Sequence, residues 1–408
     1  MAYRELLCLP YAARLMAGTL IGRLPNAMAP TAVLLAAEQE AGSLAGGGLL
    51  AAGYLVAFAC GQPMLGRLAD RIGLVIPLLF GSAIAAGALG VLALVGTGQI
   101  LLALALTSVA GLFNPPLEAG LRSLWPGVLP GTDVVRASYL RTAYALDNGT
   151  QEAVHVVGPL LAGALVAVSP QTALLVTAVL GLGGAFSVGA SRPARAWNPA
   201  GEMRHWLGPL KSSAVRALLV TMFCAGAAVG ALRVCAVASA QESGAMWLKG
   251  GLPALVSLGG LVGGLIYGCR AWPGSYLQHM TLLAFGFAVA WLPMLGAPGP
   301  MPSAFLVVLP GVCFTTMLCG GFLLMNAAAP PGTGTEAFGW LIASVNAGVA
   351  TGSALGGMAG GNYIVPLLAA VGAFSVLVVT RTALHPSTAS LLVGSGGQGP
   401  FMDRSGLR

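Results

Sequence analysis

Apolar stretches that are each long enough to cross a membrane follow one another along almost the whole chain. A bilayer core of about 30 Å requires about 20 apolar residues in a helix. The sequence therefore predicts an all-α integral membrane protein with twelve transmembrane helices. The predicted spans are 11–36, 44–66, 74–96, 99–122, 139–167, 171–190, 214–240, 246–268, 276–296, 302–327, 333–358 and 362–382.

The composition agrees with a chain buried in lipid. Only 8% of the 408 residues are charged, 57% are hydrophobic, and the mean hydropathy is +0.85. A soluble domain carries about 25% charged residues. The net charge of +7 does not indicate nucleic-acid binding, because the basic residues lie between apolar spans. Most of the seven cysteines lie inside spans and none forms a C-x-x-C pair, so we expect no metal and no cofactor.

The basic residues also predict the orientation of the chain. With the N-terminus placed inside, most arginines fall in inner loops, as the positive-inside rule requires. The outer turn after the first span carries Glu38 and Glu40 but no basic residue. Losing one span would scatter the charges over both sides. We therefore expect a monomeric plasma-membrane protein with both termini in the cytoplasm.

The longest polar interval lies in the middle of the chain, at 191–213. It predicts two six-helix bundles, 1–190 and 214–385, joined by a cytoplasmic loop. The glycine-rich residues 386–408 are expected to form a disordered cytoplasmic tail. Repeated halves in transporters usually bracket a substrate site near the middle of the bilayer.

A charged turn, GRLADRIG, runs from Gly66 to Gly73 after the second span. Its pattern Gly-x-x-x-Asp-Arg-x-Gly resembles the loop between the second and third helices of the major facilitator superfamily. The resemblance covers residues 1–385 in span count, loop lengths and half-symmetry. It implies a secondary transporter that rocks two six-helix bundles about a central cavity.

The resemblance also implies a role for the acidic residue of the turn. Asp70 is expected to meet the N-terminus of span 11 and to lock one conformation. A carboxylate at a helix N-terminus gains about 0.3–1 kcal/mol. Glu336 places a like charge there, so we expect Arg71 to bridge the two carboxylates. The alternative is that Asp70 and Arg71 only fix the topology of the loop.

A second element lies in span 5, where the sequence GPLLAG runs from Gly158 and Pro159 to Gly163. It resembles the Gly-Pro-x-x-Gly-Gly element of proton-coupled exporters in the superfamily. The earlier glycines of that pattern are Ala145 and Val154 here, and the arginine-glutamine pattern of span 4 is absent. The whole chain resembles actinobacterial drug or metabolite exporters of the twelve-helix type. Close helix packing by small residues is the alternative explanation.

Span 5 carries the densest set of polar groups, which include Asp147, Glu152 and His155. Ionisable residues inside a membrane are costly and suggest function. From their similar depths we expect Arg23 of span 1 to pair with Glu152. Glu152 beside His155 is then a candidate for carrying a proton whose binding opposes substrate binding. A structural charge network between the two spans, or direct substrate contact, are the alternatives.

Other polar residues are candidates for lining the cavity. Arg233 in span 7 has no acidic residue within helical reach in its own span. Three roles are open for Arg233: it binds an anionic group of the substrate, it pairs with an acidic residue of span 5, or its side chain extends to the membrane surface. Glu118 and Arg122 are four residues apart, so a local ion pair is expected. The remaining cavity candidates are Asn26, Asn114, Thr316 and Asn326.

These features together favour a secondary transporter over other classes. The leading hypothesis is proton-coupled efflux of a small hydrophobic or amphipathic molecule. The alternatives are uptake of a sugar or organic solute and a membrane scaffold without transport activity. No G-x-x-x-x-G-K-[ST] motif is present to bind ATP. An integral-membrane enzyme would need a clustered nucleophile, base or metal set, for which the sequence offers only His155 with Glu152.

Overall fold

The computed structural model describes residues 2–41, 44–197, 207–245, 247–269, 272, 276–296, 299–330 and 332–383. All regular elements of this part of the chain are helical. Sixteen are α-helices: α1 (Ala2–Leu7), α2 (Ala12–Ala41), α3 (Leu44–Ile72), α4 (Val75–Val95), α5 (Ile100–Leu112), α6 (Leu117–Val128), α7 (Asp133–Val168), α8 (Pro170–Gly189), α9 (Arg192–Ala196), α10 (Ser213–Ser243), α11 (Leu248–Cys269), α12 (Tyr276–Ala290), α13 (Pro300–Leu306), α14 (Val308–Ala328), α15 (Gly334–Met358) and α16 (Ile364–Ala383). Two short 3-10 helices lie at Gly208–Lys211 and Leu292–Gly296.

Eleven helical segments of the described chain are long and apolar enough to cross a membrane. A further shorter apolar segment, Ile364–Val379 in α16, follows them. The prediction of an all-α integral membrane protein is thereby confirmed. The predicted tail 386–408 and residues 198–206 of the predicted central loop lie outside the described residues.

Span 4 differs from the continuous helix 99–122 that the sequence predicts. It consists of α5 and α6, which are separated at Phe113–Pro116. Pro115 and Pro116 lack backbone N–H donors, and a proline also disfavours helical backbone in the residue before it. The break therefore has a cause that is visible in the sequence, and α6 continues to Val128.

The spans form two groups that pack mostly within themselves. Helix α2 packs on α8, α7 and α3, and α10 packs on α15, α16 and α11. The main contacts between the groups join α3 to α15 and α7 to α11. The first group is called the first bundle below and the second group the second bundle. Their boundary at 191–213 stays a prediction.

Glycines allow α10 and α15 to approach closely in the second bundle. A Cβ atom at Gly352 would overlap the backbone carbonyl of Ala227, whereas the space around Gly357 on the same helix is open. We expect Gly352→Leu to lower the stability of the second bundle by about 1–3 kcal/mol through overpacking. The matched Gly357→Leu should leave it unchanged. Thermal unfolding in detergent compares the two, and equal midpoints would contradict this account of the packing.

Candidate functional site

The first bundle touches the second at the N-terminus of α15. The carboxylate of Asp70 at the end of α3 accepts hydrogen bonds from the backbone N–H groups of Thr335 (3.1 Å) and Glu336 (2.8 Å). These N–H groups belong to the first turn of α15, where no helical carbonyl is available to them. Asp70 therefore caps a helix of the opposite bundle, and it is only 3% exposed.

The second carboxylate at this contact is neutralised by a different arginine from the one predicted. Arg67 Nη2 lies 2.5 Å from Glu336 Oε1, and Trp340 Nε1 donates to the same oxygen at 3.2 Å. Arg71, which the sequence suggests as the bridge, is exposed. Arg67 lies one helical turn before Arg71 and faces α15, because α3 continues as a helix to Ile72.

Several further contacts close this end of the molecule. A Cβ atom at Gly66 would lie only 2.7 Å from the carbonyl oxygen of Thr335, so α3 and α15 touch through their backbones. Thr335 Oγ1 also bonds Ser123 Oγ at 3.0 Å. Tyr3 donates to the carbonyl of Leu265 at 2.6 Å, and burial raises the pKa of its hydroxyl above the usual range. We call this region, defined by Asp70, Thr335 and Glu336, the closed end. Gly73 ends the α3 turn with a φ of +94°, which suits glycine.

A buried charge network lies in the first bundle. Asp147 of α7 is placed between Arg23 of α2 (2.5 Å) and Arg122 of α6 (2.8 Å). Glu118 reaches Arg122 at 3.5 Å, so the expected local pair is present. Neither contact of Asp147 is aligned as a hydrogen bond. The attraction at this carboxylate is therefore mainly between charges.

The expected pair of Arg23 with Glu152 is wrong. Arg23 pairs with Asp147, and its Nη1 also approaches the side-chain oxygen of Gln151 at 3.5 Å. Asp147 and Gln151 lie four residues apart on the face of α7 that packs against α2, whereas Glu152 points elsewhere. Similar depth in the membrane does not determine which face of α7 meets α2.

The charge network reaches the second bundle through Arg122. Its guanidinium lies 3.6 Å from the centre of the Phe322 ring on α14, a cation–π contact. Asn148 accepts from Arg122 (3.4 Å) and donates to Cys319 Sγ of α14 (3.0 Å). Tyr144 packs edge-on against Phe322. One face of α7 thus follows α14.

The same face of α7 shows where the two bundles separate. Glu152 is half-buried and accepts a hydrogen bond from Thr315 Oγ1 of α14 at 3.4 Å. His155 is almost one turn further from the closed end and is exposed, and its ring lies 3.5 Å from the side-chain nitrogen of Gln151 on the same helix. Since Tyr144, Glu152 and His155 lie on one face, the contact with α14 ends beyond Glu152. We call the region around Glu152 and His155 the central cleft.

Arg233 of the second bundle borders the central cleft. It is exposed although it lies well inside the apolar helix α10. By helical geometry it lies on the side of α10 where Met222 contacts α14, and α14 also bonds Glu152. The acid of α7 and the guanidinium of α10, two of the groups that the sequence singles out, therefore both lie toward α14.

The remaining cavity candidates are distributed differently. Asn114 is buried inside the first bundle, where its Nδ2 donates to Tyr54 Oη at 2.8 Å. Thr316 faces away from α7, and its hydroxyl donates to the carbonyl of Val312. Asn326 is exposed two residues from the end of α14. These positions lie away from Glu152, and a role of the three residues in a substrate cavity stays a prediction. Asn26 is half-buried beside Arg23, and its Oδ1 has no partner in the described part of the chain.

The Gly-Pro element of span 5 serves close packing. A Cβ atom at Gly158 would meet the Cβ of Ala27 at 2.6 Å, so α7 touches α2 there. The space around Gly163 is open. Pro159 lies inside the continuous helix α7. An exporter-specific role of this element stays a prediction.

Some residues of the site carried too little signal to be chosen from the sequence. Thr315, Cys319 and Phe322 are ordinary residues of an apolar helix, and their role depends on which face of α14 meets α7. Arg67 and Arg71 both lie in the charged turn Gly66–Gly73. Arg67 meets Glu336 because α3 continues as a helix to Ile72. Among the described residues, no three His, Cys, Asp or Glu side chains come together as metal ligands.

Comparison with known proteins identifies the architecture. The sequence matches no protein-family model and no curated protein. The fold matches a bacterial homologue of the iron transporter ferroportin in an outward-facing state, with a TM-score of 0.72 and 16% identity over 92% of this chain and 100% of the other. It also matches the human organic anion transporter MFSD10, with a TM-score of 0.65 and 17% identity over 91% and 98% of the two chains.

A third match carries the name of the superfamily. FucP, a major facilitator superfamily transporter in the outward conformation, aligns with a TM-score of 0.65 and 13% identity over 91% of this chain and 98% of the other. The chain has the major facilitator fold. The arrangement that the Asp70 turn implied is therefore present. The resemblance to actinobacterial exporters stays a prediction.

Proposed function

We propose that this protein is a secondary active transporter that works by alternating access and couples transport to protons through Glu152. The observation that carries the proposal is the position of Glu152. Its half-buried carboxylate accepts a hydrogen bond from Thr315 of α14, a helix of the opposite bundle. A group in this position changes its surroundings whenever the bundles rock.

The described conformation fits one half of such a cycle. The bundles meet at the closed end through Asp70 and α15, and they separate beyond Glu152. If the N-terminus is cytoplasmic, as the arginines predict, this is an outward-facing state. Two of the matched structures are described as outward-facing or outward.

A carboxylate is a suitable proton carrier at this place. Glu152 bonds a helix of the opposite bundle, so rocking of the bundles changes its surroundings. In the proposed cycle the carboxylate binds a proton in one conformation and releases it in the other.

The sequence favours efflux of a small hydrophobic or amphipathic molecule in exchange for protons. Uptake of an organic solute is the second candidate, and one observation favours it. Arg233 and Glu152 both lie toward α14, so a proton on Glu152 would leave a positive charge in the cleft rather than remove one. The plasma membrane and a monomeric state are part of the proposal.

Replacing Glu152 by glutamine tests the coupling. The protein is reconstituted in liposomes with an internal pH dye, and small amphipathic compounds are added under an imposed pH gradient. We expect a compound transported by the wild type to dissipate the gradient, and Glu152→Gln to lower this proton flux by about 100-fold or more, because an amide cannot carry the proton.

The control is Glu38→Gln, which removes an exposed carboxylate near the C-terminal end of α2. It should retain the proton flux of the wild type. Proton flux that survives in Glu152→Gln would overturn the assignment of Glu152. A wild type that moves neither protons nor compounds would instead support the scaffold hypothesis.

A further inference from the structure

Arg233 is a charged group whose position calls for a partner. In the described residues no carboxylate lies within ion-pair distance of its guanidinium. Glu152 of the opposite bundle bonds Thr315 of α14, and α14 also contacts α10 through Gly321 and Met222. An arginine inside an apolar span normally faces a partner or water.

The packing of α10 indicates where Arg233 points. Gly226 and Gly230 touch the backbone of α15, whereas Cys224 faces Gly372 of α16. Met222 faces Gly321 of α14. At 100° per residue, Arg233 lies between the α14 side and the α15 side of α10, and away from α16. Its exposed side chain therefore faces the central cleft and not the lipid behind α16.

The other charges near Glu152 are already balanced or lie outside the cleft. From α2, Arg23 faces this region, but it pairs with Asp147. Asp147 also neutralises Arg122 of α6, together with Glu118. From α14 the nearest polar group is the neutral hydroxyl of Thr315. His155 is the remaining titratable neighbour, and it is exposed on α7 itself.

The uncompensated charges of the cleft therefore reduce to Glu152 and Arg233. When Glu152 is ionised, the two charges balance. When Glu152 is protonated, one positive charge remains, on a planar guanidinium that suits a carboxylate. The cleft then has the charge that complements a monoanion.

We propose that the transported molecule is an organic monoanion, a carboxylate on an apolar body, which Arg233 binds once Glu152 has taken up a proton. The inference rests on the proposed function and names its substrate class. The proton transfers from water to a Glu152 oxygen, and the substrate carboxylate takes the place of Glu152 opposite the guanidinium. Proton and anion thus bind together, and the pair is electrically neutral. This sign of coupling corresponds to the second candidate of the proposed function, uptake with protons, and not to efflux in exchange for protons.

The same geometry disfavours a cationic substrate. A cation attracted to Glu152 would lie in the field of Arg233, where like charges repel. A neutral amphipath would gain nothing from the guanidinium. Anionic, cationic and neutral substrates should therefore bind with different affinities, and the difference should depend on the side chain of Arg233.

The test measures binding to the purified full-length protein in lipid nanodiscs. The probes are benzoate, cinnamate and octanoate, each with its amide and its primary amine, so that size is matched within a set. At acidic pH we expect at least one acid to bind about 10-fold or more tightly than its amide and amine, as a charge-assisted contact implies. The preference should fall as the pH rises, because the proposal requires a proton on Glu152 for the anion to bind.

Three variants locate the effect. Arg233→Gln should abolish the preference for the acid, and Arg233→Lys should retain part of it. Glu152→Gln imitates the protonated state and should bind the acid tightly at every pH. Lys249→Gln removes an exposed basic residue near the start of α11 and should change nothing.

The outcomes separate this inference from the proposed function. If no acid binds more tightly than its amide, or if Arg233→Gln keeps the preference, the inference is overturned while proton coupling through Glu152 stands. If acids bind through Arg233 at all pH values in the wild type, the anion site is correct and the coupling to Glu152 fails.

Discussion

Replacing Asp147 by asparagine is expected to destabilise the first bundle by about 3–5 kcal/mol, because it leaves charges without a partner in a buried place. Arg23 is 1% exposed and its ion-pair partner among the described residues is Asp147. Its Nε and Nη2 atoms already lack partners there. Arg122 would keep Glu118, at 3.5 Å. The main cost therefore falls on Arg23.

A double replacement separates this electrostatic cost from loss of packing. Asp147→Asn combined with Arg23→Gln removes both charges and should recover a large part of the lost stability. Asp147→Asn, Arg23→Gln and the double variant are compared by thermal unfolding and by the yield of monodisperse protein in detergent. Glu118→Gln serves as control and should cost less, because Arg122 retains Asp147 at 2.8 Å. If Arg23→Gln adds to the damage rather than repairing it, the pair does not act as the structure suggests.

This network shows which part of the site the sequence determines. The need for Arg23 to have an acidic partner on span 5 followed from the cost of a charge in lipid, and the structure provides one. The identity of the partner did not follow. Asp147 and Glu152 are five residues apart and point in different directions, and the facing direction of α7 depends on how α2 and α14 pack on it.

Thr315 and Thr316 illustrate the same limit. Adjacent residues of a helix point about 100° apart, so only one of them can face α7. Helix α14 is apolar on all sides, and its sequence therefore has no polar stripe that indicates the cleft. The spans themselves were predictable because length and hydropathy suffice, and the interruption of span 4 follows from its two prolines.

The Asp70 contact is the feature for which the prediction from the sequence agrees best with the structure. The turn, its carboxylate and the start of α15 come together, and both oxygens of Asp70 accept backbone N–H groups. Only the arginine differs, since Arg67 and not Arg71 meets Glu336. Turn residues with a specific spacing thus carry more positional information than apolar helix faces.

Replacing Asp70 by alanine is expected to open the closed end. It removes two charge-assisted hydrogen bonds and leaves the N–H groups of Thr335 and Glu336 unpaired in a buried place. Each hydrogen bond to a charged group contributes about 1.5–3 kcal/mol. The described conformation should lose at least the contribution of one such bond relative to the alternative one, which corresponds to a shift in population of about 10-fold or more.

Cys319 is a natural probe of this opening. It is fully buried between the bundles, where Asn148 donates to its sulfur, and it lies one turn closer to the closed end than Thr315. In a variant that keeps only this cysteine, Asp70→Ala should increase its labelling by a polar thiol reagent added from the closed-end side. Arg71→Ala, at an exposed position of the same turn, should leave the labelling low. If Asp70→Ala leaves Cys319 as protected as before, the contact between Asp70 and α15 does not hold the bundles together, and the closure depends instead on the backbone packing of Gly66.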